Sequence, residues 1–314
     1  MYPLKFGNLY YEKIWGGRKL LDYRENLPQG DIGESWEVAC HKNGMSVIIN
    51  GKYKGQTLIH VINQVGNLII GDKVIKEGFS ASDFPLLIKV INSNENLSVQ
   101  VHPGDEYAHE IEGDNGKREV WYIIDCEEDS EIIVGTKDCT EEEFRRDCIN
   151  GTVENYMNKV SVKSGDLIVI EPGLIHSIGK GILLAEVQQN SDTTYRVYDY
   201  KRGRELHIDK AIDVLNFDLK PNIIPIDENK KVQRCITSSG FNIDIYNING
   251  SYSEESSRDK FYIFTCVSGA GKIRFIDAGI RGEVTISQLE SILIPAYLGR
   301  YILSGRMKLI KSYV

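Results

Sequence analysis

Short apolar runs, broken every few residues by Gly, Asp or Pro, set the pattern of this chain. Residues 84–91 are almost continuously apolar, as expected of a strand buried on both faces. Residues 120–124, 131–134, 167–170 and 182–187 are further runs rich in β-branched and aromatic side chains, which favour a pleated surface. Turn-forming residues separate them at 113–116, 164–166 and 179–181. Short strands with frequent turns predict a barrel or a sandwich.

Three stretches carry helical spacing instead. Residues 57–70 place Leu58, Ile59, Val61, Ile62 and Val65 at helical intervals. Residues 140–148 begin with Thr140 and, three positions on, Glu143, the pattern of a capping box. Residues 207–215 put Ile208, Ala211, Ile212 and Leu215 on one face. Around 216–231, Pro221, Pro225 and a polar run mark a boundary, and strand patterning resumes at 241–248, 261–267, 271–276, 289–295 and 308–313. The expected organisation is a first domain over 1–220 and a smaller β-domain over 221–314. Ser268-Gly269-Ala270-Gly271-Lys272 lacks the spacing of a phosphate loop and reads as a hairpin turn.

A chain of 314 residues can bury a large core. Its net charge of −8 argues against nucleic acid and anionic membranes as partners, since both attract basic surfaces. Residues 1–20 carry no apolar run of the signal-peptide kind, and no stretch reaches the roughly 20 apolar residues of a membrane span. The expected compartment is the cytoplasm. None of the six cysteines forms a C-x-x-C pair, so they read as free thiols rather than a thiolate metal site or disulfides.

The chemistry concentrates in three segments. In Ser98-Val99-Gln100-Val101-His102-Pro103, strand alternation projects Gln100 and His102 to one face and Val99 and Val101 to the other. Pro103 removes a backbone donor and ends the strand. Glu119 stands at the mouth of an otherwise apolar strand, where a charge is costly unless paired or bound to a metal. In Glu171-Pro172-Gly173-Leu174-Ile175-His176 a Pro-Gly turn delivers His176 to the next segment. Two His, one Glu and one Gln suit a catalytic zinc with an open position. Each residue alone reads more simply as structural, and His41, His60, His109 and His207 are left with that reading. The two halves of the pattern resemble the cupin motifs, in which a first motif gives a His and a Glu, and a second gives another His.

On these residues, together with Gly33-Glu34-Ser35-Trp36-Glu37, Asn50-Gly51-Lys52-Tyr53-Lys54-Gly55, Lys117-x-Glu119-x-Trp121 and Asp192-Thr193-Thr194-Tyr195-Arg196-Val197-Tyr198-Asp199, the chain resembles the class I mannose-6-phosphate isomerases in their short bacterial form. The resemblance implies a mainly β fold: a cupin-type jelly-roll catalytic domain with short helical insertions, and a second, metal-free cupin-like domain. It implies interconversion of mannose 6-phosphate and fructose 6-phosphate, with one divalent metal per chain, zinc, held by Gln100, His102, Glu119 and His176. Arg196 matches the family's active-site arginine. Ser98, Lys117 and Lys89 are candidate contacts to the substrate's phosphate by the same resemblance.

The base that moves the proton is not identified by the sequence. Lys89, a metal-bound water and a carboxylate such as Glu37 are the candidates. Lys89 ends an apolar strand and is taken as the catalytic candidate, Glu37 as a substrate contact. Against the isomerase stand a cupin oxygenase using iron at the same ligands and a non-catalytic sugar-binding module. Lys117-x-Glu119 and Thr194-Tyr195-Arg196 favour a sugar phosphate, and no ligand is missing as a decayed module would require. A monomer or weak dimer is expected.

Overall fold

The structure, a computed structural model, describes residues 1–80 and 83–314. Strands dominate it, as the apolar runs predict. The chain forms two compact units that are not consecutive in sequence: residues 1–10, 35–90 and 225–314 make one, and residues 11–34 and 91–224 the other. This differs from the expected division at residue 220. Sheets draw neighbours from distant sequence, so a unit closes by chain returns rather than by one linear segment. The strands Leu9–Gly17, Ile32–Val38 and Leu86–Ser93 each begin in one unit and end in the other.

The unit holding residues 91–224 is built of two sheets. In one, Asn222–Ile224, Leu167–Ile170, Glu119–Cys126 and Ile182–Gln189 stand side by side in that order, paired antiparallel. In the other, a five-stranded sheet, Met157–Ser161, Glu131–Thr136, His176–Ile178, Val99–Val101 and Tyr195–Tyr198 follow one another. Trp121, Ile123, Ile132, Val134, Ile168, Ile170, Ile182 and Leu184 from both sheets form one buried core with Leu174 of the turn between two of the strands. The opposite face of the five-stranded sheet, with Val99, Val101, Ile133 and Val197, packs on Phe144 and Cys148 of the helix Glu141–Asn150 and on Ala211 of the helix Ile208–Val214. Thr140 and Glu143 form the expected capping box.

The unit that contains residues 225–314 carries long strands. Asn242–Glu255, Tyr262–Asp277 and Arg300–Tyr313 pair antiparallel around a core of Phe264, Ile273, Ile292, Leu303 and Leu309. Residues 57–70 belong here and are two helices, Leu58–Val65 and Asn67–Ile70, not one. Gly66, at φ +41, breaks the run. The second of these helices and the next, Asp72–Lys76, bond to loops between the C-terminal strands, Ala296 N to Ile69 O at 2.9 Å and Asp72 N to Arg258 O at 2.9 Å. The expected hairpin at 268–272 is absent: Tyr262–Asp277 is one strand, with a register shift between Cys266 and Ser268 and Gly269 at φ +76. A β-bulge absorbs the glycines without reversing the chain.

Candidate metal and sugar-phosphate site

Strand register assembles the site. Arg196 pairs with Gln100, and Gln100 with His176, so three residues from three strands lie in one row across the five-stranded sheet. Alternation brings Ser98 and His102 to that same face. In the other sheet Glu119 and Trp121 share a face, with Glu186 directly opposite Trp121 and Gln188 opposite Glu119. Backbone bonds tie the segments together: Lys117 N donates to Pro103 O at 3.0 Å, and Gly173 N to His102 O at 2.8 Å.

His102, Glu119 and His176 come together, their ligand atoms within 4.8 Å of one another and all three side chains buried. The two Nε2 atoms are 3.2 Å apart, and His102 Nε2 is 3.2 Å from Glu119 Oε1. His176 Nδ1 lies 2.8 Å from Leu174 O, so that nitrogen carries the proton and Nε2 turns its lone pair to the cluster. Gln100 Nε2 is 3.4 Å from His176 Nε2, which brings the amide within reach of the same point.

Electrostatics suit a cation. Burial, and then the neighbouring Lys117, push His102 down to about 3. Burial likewise lowers His176. Both imidazoles are therefore neutral near pH 7, the form that ligates metals. Burial opposes ionisation of Glu119, but Lys117 and His102 outweigh it and hold the carboxyl well below the usual range. Lys117 Nζ reaches 3.1 Å from Glu119 Oε1 and 3.3 Å from His102 Nε2. Two nitrogens about 2.0–2.1 Å from a tetrahedral zinc stand roughly 3.3 Å apart. The observed nitrogen pair and the single carboxylate thus fit one divalent ion.

Arg196 is half-buried in the same row. Its Nε donates to Ser98 Oγ at 3.2 Å and one terminal nitrogen to Glu205 O at 2.9 Å. His207, left aside on sequence grounds, sits beside it: Arg196 N donates to His207 Nδ1 at 3.3 Å. Ser98 therefore meets Arg196 and, at 3.4 Å, Gln100 Oε1. Lys117 lies among the ligand atoms, whereas a phosphate contact would be expected apart from them. Glu37 and Lys89 are buried in the other unit. There Glu37 accepts from Asn8 Nδ2 at 2.6 Å and Ser35 Oγ at 2.7 Å, and Lys89 Nζ lies 5.2 Å from the Trp36 ring centroid.

Three contributors escaped the sequence reading. Arg202 and Arg204 both pair with Asp199 just beyond Arg196. Glu186 joins the interior face near Glu119. The signal for Glu186 was present: Leu184, Glu186 and Gln188 alternate with Leu183, Ala185 and Val187, which puts carboxylate and amide on the core side of the strand.

Two strand layers with a buried His-Glu-His cluster and the Arg196 guanidinium beside it define a metal-type cupin enzyme site. Residues 4–146 match the family model for the catalytic domain of phosphomannose isomerase type I, and residues 231–314 that for the mannose-6-phosphate isomerase cupin domain. Mannose-6-phosphate isomerase ManA of Bacillus subtilis is 37% identical over 99% of both chains. The mannose-6-phosphate isomerase of Streptococcus mutans is 33% identical over 99% of this chain and 98% of its own. The chain belongs to the type I phosphomannose isomerase family. The crystal structure of the B. subtilis mannose 6-phosphate isomerase covers all of both chains at a TM-score of 0.89 and 32% identity. A putative mannosephosphate isomerase from Archaeoglobus fulgidus, at 20% identity and a TM-score of 0.79, shares the fold. Among the described residues, no helix is long and apolar enough to cross a membrane.

Proposed function

We propose that this protein interconverts mannose 6-phosphate and fructose 6-phosphate, with one zinc ion held by His102, Glu119, His176 and Gln100. The observation that carries the reading is the convergence of two buried imidazole nitrogens, one carboxylate and one amide on a point bordered by Lys117 and by the Arg196–Gln100–His176 row.

Moving a proton between C1 and C2 of the sugar gathers negative charge on the neighbouring oxygens. A bound divalent cation supplies Lewis acidity toward those oxygens. Lys117, fixed by Glu119, presents an ammonium to the reacting end of the sugar rather than to its phosphate. Arg196 keeps a fixed charge, and Ser98 sets the tilt of its planar fork. It stabilises the enediolate as charge develops. Lys89 is proposed as the proton carrier and Glu37 as a substrate contact on the sequence argument.

The test couples fructose 6-phosphate formation from mannose 6-phosphate to a chromogenic readout, with elemental analysis of the same preparation. Chelation should abolish turnover and zinc should restore it. Full turnover in a verified metal-free preparation rejects the metal assignment, and no turnover in the metal-replete protein rejects the isomerase.

A further inference from the structure

Trp121 touches two of the proposed metal ligands at once. Its Nε1 is 3.0 Å from Glu119 Oε2 and 3.0 Å from Glu186 Oε2. Its ring meets the His176 ring edge to face, centroids 5.5 Å apart at 76°. The indole is buried, 1% exposed, and its one N–H is divided between the two carboxylates. Strand geometry makes these residues neighbours. Trp121 lies two residues after Glu119 on one face, and antiparallel register sets Glu186 across from it.

The contacts divide the Glu119 carboxylate. Oε1 faces His102 Nε2 at 3.2 Å and Lys117 Nζ at 3.1 Å. Oε2 shares the indole N–H with Glu186 Oε2 and stands 4.0 Å from His176 Nε2. An indole nitrogen only donates, so the oxygen that it meets is fixed as an acceptor. A carboxylate without that partner could turn about its last bond and offer either oxygen, or both.

We propose that Trp121 is a positioning residue for the metal: its N–H holds Glu119 Oε2 and leaves Oε1 as the single ligating oxygen, while its ring braces His176. The inference rests on the metal reading of the site. It gives Trp121, which contributes no ligand atom, a role in the affinity and coordination number of the ion. Partners of this kind change metal affinity by about 10–100-fold when removed.

The experiment uses the full chain, stripped with a chelator. Zinc affinity is measured by competition with a chromophoric chelator, and the visible bands of the Co²⁺-loaded protein report coordination number. Trp121→Phe removes the N–H and some volume. Replacing Trp121 by β-(benzothiophen-3-yl)alanine removes the N–H and keeps the ring shape, so the core stays filled. Both variants should bind zinc about 10–100-fold more weakly than wild type and shift the Co²⁺ bands, with near-ultraviolet circular dichroism retained in the second. Unchanged affinity and bands in the benzothiophene variant overturn the proposal, whatever Trp121→Phe does. A wild-type protein that binds neither ion overturns the metal reading itself, and this inference with it.

Discussion

Gln100 and His176 are direct cross-strand partners, and the amide Nε2 lies 3.4 Å from the ring Nε2. Register alone therefore brings an amide beside an imidazole, 76 residues apart in the chain; the amide would ligate through its oxygen, a weak neutral donor next to a strong one. The two should contribute unequally. Removing His176 deletes a primary ligand and leaves Glu119 and His102 without their third partner. His176→Ala is expected to purify with far less than one zinc per chain. Gln100→Ala should keep zinc when loaded and lose it faster to a competing chelator. Elemental analysis and chelator exchange check the order, and equal retention in both variants would contradict it.

Arg196 is anchored outside the ligand cluster, by Ser98 Oγ and the Glu205 carbonyl. Arg196→Ala should then retain fold and metal content. It should lower kcat and kcat/KM together, by on the order of 10²–10³, the pattern of an interaction made in the transition state. Arg196→Lys should recover little, because a point charge does not replace the fork. A raised KM with unchanged kcat would instead assign Arg196 to ground-state binding of the phosphate.

Asp199 gives a pH dependence with a definite sign. Burial opposes its ionisation, yet Arg204, then Arg202 and Arg196, prevail and hold the carboxyl below the usual range. A depressed folded-state value means that the stabilisation is fully present above the unfolded value of about 3.9, and is lost as pH falls through the folded one. The stability difference between wild type and Asp199→Asn should be flat from neutral pH down to about 5 and shrink below about 4. Urea unfolding across that range measures it, and a difference still undiminished well below pH 3 would contradict the assignment.

The turn that delivers His176 depends on Gly173. Its φ is +84, and a Cβ there would sit 2.8 Å from the Val214 carbonyl oxygen. Its N–H also bonds to the His102 carbonyl at 2.8 Å, linking the two histidine segments. Gly173→Ala should cost about 1–2 kcal/mol from the left-handed backbone alone, and more from the close approach. Lower thermal stability together with reduced zinc retention is the expected result. Wild-type melting would show that the turn relaxes without cost.

Much of this was readable in the order of residues, because it depends on neighbours within a few positions. Alternation placed Gln100 and His102 on one face. Thr140 and Glu143 announced a helix start, and the apolar runs announced strands. Glu119 stood out because a carboxylate inside an apolar strand needs a partner. Other features were set only when distant segments met. The sequence cannot fix which strand lies beside which, since every apolar run is an acceptable neighbour for every other until register is chosen. Register is what aligned Arg196, Gln100 and His176 in one row and set Glu186 across from Trp121. Pairing of residues 4–5 with Ser291–Ile294, and backbone bonds from Ile69 and Asp72 to the C-terminal loops, gathered residues 1–10 and 35–90 with 225–314, where the linear pattern suggested a cut at 220. Whether Ser268–Lys272 turns or bulges was likewise undecidable locally, because glycines permit both. Pairing with Arg300–Tyr313 along nearly its whole length kept that segment extended. Local chemistry thus named the ligands, and long-range strand pairing decided which of their atoms face one another.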